Sequence, residues 1–167
     1  MVGTLALFVF PLLMAYAASS DLLTMRIANR LVLLLVAAYL ALAFFAHLPL
    51  SEIGINLAVA AGVLAVAFAF FAFGWIGGGD AKLIAATALW VGLGLLLNYL
   101  IYSALLGGLL TLMILVLRRY PLPAFLQRQR WIDRLHDPKV GVPYGITLAI
   151  AGLLVYPETP IFGHFIG

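Results

Sequence analysis

Cysteine is absent from the 167 residues, which removes disulfides, thiolate metal sites and a cysteine nucleophile together. Charge is nearly as scarce: Asp, Glu, Lys and Arg make up 9% of the chain and hydrophobic residues 66%, whereas soluble domains carry roughly 25% charged residues. Extended polar stretches are scarce too, and that leaves no room for a sizeable soluble domain. What remains is a succession of apolar runs. A helical span takes about 20 mainly apolar residues, so the length admits roughly six short spans. The expected fold is all-α: a polytopic integral membrane protein, one membrane-embedded domain over residues 1–167. Its core is helix against helix in lipid, where small residues let backbones approach.

The runs place the spans at about 2–20, 30–48, 53–73, 81–94, 98–117 and 143–157. Ala15-Tyr16-Ala17 faintly resembles a signal-peptidase site. No Lys or Arg precedes that run, so it is expected to be the first span and not a cleaved signal. No charged residue separates Lys82 from Arg118, a stretch too long for one crossing, and Gly92, Gly94 and Asn98 are the expected turn within it. Residues 118–142 form the one extended polar segment. Its Phe125, Leu126, Trp131, Ile132 and Leu135 suit a short basic amphipathic helix on the membrane surface.

Charge placement supports this division. Alternating spans put all nine basic residues on one side, in the links holding Arg26 and Arg30, Lys82, and Arg118 to Lys139, with Glu52 and Glu158 on the other. The positive-inside rule makes the basic side cytoplasmic, with both termini outside. The net charge of +3 is then an orientation signal and an anchor to anionic lipid, a stronger reading than nucleic-acid binding.

Two carboxylates stand out against this background. Asp80 follows Gly77-Gly78-Gly79 between two long apolar runs, with Lys82 just beyond; Asp21 closes the first run. Intramembrane carboxylates are costly and more often serve function than structure, although a glycine turn with a capping aspartate is the plainer account of Asp80 taken alone. Both fall at the same interface of a helical bundle. One, ionised, can take a proton from an attacking water while the other, protonated, donates to a peptide carbonyl and then to the leaving amine. Asp80 at a helix N-terminus beside Lys82 is expected to be the base, and Asp21 at a helix C-terminus the proton carrier. Three glycines let another backbone pass close by. Arg26 and Asn29 are candidates for shaping the turn or contacting substrate, beside plain interfacial anchoring. Lys82 is set between tuning Asp80, pairing with substrate and snorkelling to headgroups. His47, His136 and His164 have no companions at metal-ligand spacing, so no metal and no cofactor is assigned.

Gly77-Gly78-Gly79-Asp80-Ala81-Lys82 resembles the GxGD motif, with its following Lys, of prepilin and preflagellin peptidases. Asp21 followed by Ile27-Ala28-Asn29-Arg30 is similar to that family's first aspartate and its Ile-Pro-Asn stretch, with Ala28 standing where proline is usual. Val142-Pro143-Tyr144-Gly145 resembles the family's closing motif. The likeness spans nearly the whole chain and is closest to the short form of tight-adherence (Flp-type) pilus systems. That form lacks the N-terminal cytoplasmic domain and paired cysteines associated with N-methylation. The resemblance implies a multi-pass protein of the bacterial cytoplasmic membrane. Its activity would be that of an aspartic endopeptidase with Asp21 and Asp80 as catalytic residues, and Gly77, Gly78, Gly79, Lys82, Asn29 and Arg26 shaping the site or binding substrate. The substrate would be a type IV-like prepilin, cut at the cytoplasmic face after a glycine just ahead of its hydrophobic segment. Its partners would be that prepilin and the bilayer, with a homodimer left open. A preflagellin or pseudopilin peptidase, a small proton- or cation-coupled transporter, and a non-catalytic assembly component are the alternatives.

Overall fold

A computed structural model describes residues 2–166. The described residues are helical throughout their ordered elements: α1 Val2–Thr24, α2 Asn29–Phe45, α3 Leu50–Ala72, α4 Gly78–Leu117, α5 Ala124–Gln127, α6 Arg130–His136, α7 Tyr144–Val155, a 3₁₀ turn Tyr156–Glu158, and α8 Pro160–Ile166. Helices α1, α3 and α4 are long and apolar enough to cross a membrane, and α2 and α7 are shorter apolar helices.

Helix α4 is one element in hydrogen bonding only. Gly92 has φ 65° and ψ −179°, a region open essentially to glycine alone. Asp80 and Gly107 line the same cavity, although an unbroken helix would set them roughly 40 Å apart. The chain therefore doubles back at Gly92 into two arms, 78–91 and 93–117. The expected turn is thus realised at Gly92, while Gly94 and Asn98 are helical again. Asn56 explains the choice. It is buried, its amide donates to the Tyr39 hydroxyl at 2.8 Å, and a Cβ on Gly92 would lie 2.9 Å from its Oδ1. The turn is shaped by a neighbour that local sequence does not reveal.

The first arm is the centre of the bundle. Ala81, Leu83 and residues 85–92 are all buried, as expected of a helix apolar on every face, and its alanines let α2, α3 and α7 close in. Helix α1 presents Phe10, Met14, Ala17 and Asp21 as one buried stripe, and α2 presents Leu31, Leu35, Tyr39 and Ala43; spacings of three and four put each set on a single face. Phe10 meets Trp90 and Tyr156 with ring centroids 4.8 and 4.7 Å apart, and the Trp90 indole donates to the Leu35 carbonyl at 3.1 Å. Trp90 is thus a packing residue. Outward-facing apolar side chains such as Phe44, Val66 and Leu105 suit a lipid solvent.

Turn chemistry fixes the ends. Helices α2 and α3 both close in Schellman motifs, with Gly74 at φ 75° ending α3 and His47 at φ 51° ending α2. The polar segment after α4 folds as two short helices, α5 and α6, instead of one amphipathic helix. Arg118 secures it: Nε donates to the Leu135 carbonyl at 2.8 Å and Nη2 to the Val140 carbonyl at 2.9 Å. Arg134 Nη1 caps the end of α1 through the Leu23 carbonyl at 3.1 Å. Arg118 and Arg134 thus hold this segment against the end of the bundle that carries the glycine stretch.

Candidate active site

Helix α1 does not stop at Ser20 but runs on to Thr24, which puts Asp21 in its last turns on the buried stripe. Met25 then turns the chain at φ 54°, a left-handed conformation uncommon outside glycine. Two hydroxyls hold the turn from beneath: Ser20 Oγ donates to the Arg26 carbonyl at 2.9 Å and Thr24 Oγ1 to the Ser20 carbonyl at 2.7 Å. Ala28 begins α2 with φ −69° and ψ 139°, the φ that proline would impose. The link that follows Asp21 therefore has the geometry of a proline turn without the proline.

Asp80 enters from the other side, in the first turn of α4 after the N-cap Gly77. Each of the three glycines makes room for something specific. A Cβ on Gly77 would lie 2.8 Å from Asp80 Oδ2, one on Gly78 3.1 Å from the Phe71 ring, and one on Gly79 3.2 Å from Ile27 Cβ. Their first role is to let the Asp80 carboxyl fold back, and to let α4 seat against α3 and the α1–α2 link.

Asp21 and Asp80 line one cavity of about 510 Å³, bounded only by residues 20, 21, 24–29 and 77–80. Every residue singled out from the sequence lies on that wall except Lys82. Its ammonium donates to Asn29 Oδ1 at 2.9 Å, and so it ties the start of α2 to the first turn of α4. Among the described residues no group of three or more His, Asp or Glu is placed to hold a metal ion.

Two residues named in the sequence only as parts of motifs, with no site role assigned, also take part. The Gly145 backbone N–H donates to Asp21 Oδ2 at 2.7 Å, so the buried carboxyl is held by the first turn of α7. Gly145 has no space for a side chain: a Cβ there would lie 2.8 Å from Asp21 Oδ2, 2.9 Å from Asp21 Cβ and 2.9 Å from Ile27 Cδ1. Ile27 is the second, wedged between Gly79 of α4 and Gly145 of α7. The signal for Gly145 was present in the sequence, as a glycine just inside a helix that opens after Pro143.

Fold and site together define a helical membrane protein with two carboxyls facing one cavity at the end of its bundle. Residues 8–112 match the model of the type IV leader peptidase family, and both carboxyls fall within that match. The chain belongs to this family, which makes it a peptidase. Neither a curated protein nor a solved structure matches it.

Proposed function

We propose that the protein is an aspartic endopeptidase that removes the leader of type IV-like prepilins, of the Flp class, at the cytoplasmic face of the bacterial inner membrane. The observation that carries this reading is the cavity shared by Asp21 and Asp80, which arrive from distant parts of the chain. A water between them is the nucleophile. Asp80 takes its proton while Asp21 donates to the scissile carbonyl; on collapse of the gem-diol Asp80 passes its proton to the leaving amine and Asp21 takes one back from the gem-diol hydroxyl. Asp21 Oδ2 already accepts the Gly145 N–H, so its proton sits on Oδ1, the oxygen left for substrate. The protein crosses the membrane six times, counting α1, α2, α3, the two arms of α4, and α7, with both termini outside. The substrate lies extended along Gly77 to Gly79, because a helical peptide hides its scissile carbonyl.

The test is leader cleavage of a candidate prepilin by membranes carrying wild type, Asp21→Asn or Asp80→Asn, with EDTA in a parallel lane. Inserted but inactive variants, and a wild type indifferent to EDTA, are the expected result. Normal cleavage by either variant refutes the paired-carboxylate mechanism.

A further inference from the structure

We infer that the groove running from Asp80 into the membrane between α3 and the two arms of α4 receives the apolar substrate segment after the scissile bond. The leader then occupies the polar cavity on the other side of Asp80. This deepens the peptidase reading above and rests on it.

Asp80 stands at a boundary. On one side is the cavity it shares with Asp21, walled by the polar turn of Arg26 and Asn29. On the other is a cavity of about 380 Å³ between the two arms of α4 and the start of α7. That second cavity shares Ile76, Ile84 and Leu100 with a third, of about 460 Å³, which α3 and α4 enclose as far as Leu93. The two cavities adjoin at those three side chains, and the assigned groove follows both, from Asp80 to beside the Gly92 turn. Along the first arm this is roughly 20 Å at 1.5 Å per residue, a large part of the ~30 Å hydrocarbon core.

Chemistry assigns the occupant. Beyond Asp80 the lining carries no charge, and apart from Ser103, Thr147 and the Tyr144 hydroxyl in the nearer cavity it is aliphatic, aromatic or glycine, so a charged leader laid there would lose its hydration with little replacement, whereas an apolar helix loses nothing. Glycines hollow the groove. A Cβ on Gly62 of α3 or Gly108 of the second arm meets nothing within 4 Å, so at both points backbone sets the width. This groove lies ahead of a peptide that passes Asp80 with its polar end in the Asp21 cavity. The alternative occupant is a second copy of the chain.

The absence of cysteine makes the test clean. The probe is a synthetic peptide with a Lys-rich leader ending in glycine, then an apolar helix of about 20 residues. It carries a single cysteine in the leader, one turn past the glycine, or three turns past it. In an Asp80→Asn background, the leader cysteine should cross-link to Arg26→Cys, the near one to Gly108→Cys and the deep one to Gly62→Cys. In the active enzyme, Gly108→Leu and Gly62→Leu place bulk in the groove from positions where a Cβ has open space around it and should each lower kcat/KM for this peptide at least tenfold, with membrane insertion and thermal stability unchanged. Wild-type cleavage by both leucine variants overturns the proposal. So does cross-linking of the near or deep cysteine to Arg26→Cys, or of two copies through position 62 or 108 without peptide. A wild type that leaves the peptide uncut refutes the peptidase reading itself, and the groove assignment falls with it.

Discussion

Replacing Gly145 by alanine tests the assembly of the site more sharply than removing a carboxyl. The added methyl would fall 2.8 Å from Asp21 Oδ2 and 2.9 Å from both Asp21 Cβ and Ile27 Cδ1, closer than carbon atoms pack. Ile27 can swing its terminal methyl aside, but Asp21 Cβ is fixed to the α1 backbone. Helix α7 must back away, and the 2.7 Å hydrogen bond to Asp21 lengthens beyond use. Asp21 becomes charged as it gives up its proton, and a hydrogen bond to a charged group is worth about 1.5–3 kcal/mol against about 0.5–1.5 for a neutral one; the difference of roughly 1–1.5 kcal/mol converts to a loss of about 5–13-fold in kcat/KM. Overpacking removes a further ~1–3 kcal/mol of stability. Gly152→Ala is the matched control on the same helix. Its methyl would lie 3.1 Å from Thr87 Cγ2 and 3.3 Å from Phe10 Cζ, so it strains the packing away from either aspartate. The assay is leader cleavage under kcat/KM conditions with the melting temperature of each purified variant. Gly145→Ala should lose both activity and stability, and Gly152→Ala stability alone. Equal activity losses in the two, or full activity in Gly145→Ala, would show that the Gly145 contact does not position Asp21.

Three further outcomes are expected. Ala28→Pro should be accepted, since Ala28 already sits at φ −69°; pre-setting that angle should raise stability by about 0.4–1 kcal/mol, read as a higher melting temperature with cleavage retained. Gly92→Ala should fail, because alanine at φ 65°, ψ −179° is strained by ~1–3 kcal/mol and its methyl meets Asn56; the readout is the yield of folded, detergent-extractable protein. Arg118→Met frees the Leu135 and Val140 carbonyls and should open residues 118–142 to limited proteolysis at rates well above wild type, while the membrane core stays intact.

Much of this arrangement is legible in the sequence because membrane helices obey few rules. Charge scarcity announces lipid, and a carboxylate flanked by apolar runs marks itself. Even the facing of Asp21 was readable, as the fourth member of a stripe with Phe10, Met14 and Ala17. What escaped depends on contacts between remote segments. The reversal of α4 falls on Gly92 and not Gly94 because buried Asn56 lies against it. His47 takes a conformation that sequence alone would reserve for glycine. Lys82, adjacent in sequence to the carboxylate region, bonds to Asn29. Gly145, 124 positions after Asp21, supplies its donor.

That last separation orders events during synthesis. The carboxyl near the end of the first helix to leave the ribosome is fastened by α7, one of the last to do so. A nascent chain that has made residues 8–112 holds both aspartates, yet it lacks the backbone N–H that orients one of them. On the proposed mechanism the carboxyl pair is therefore complete only once α7 has been made.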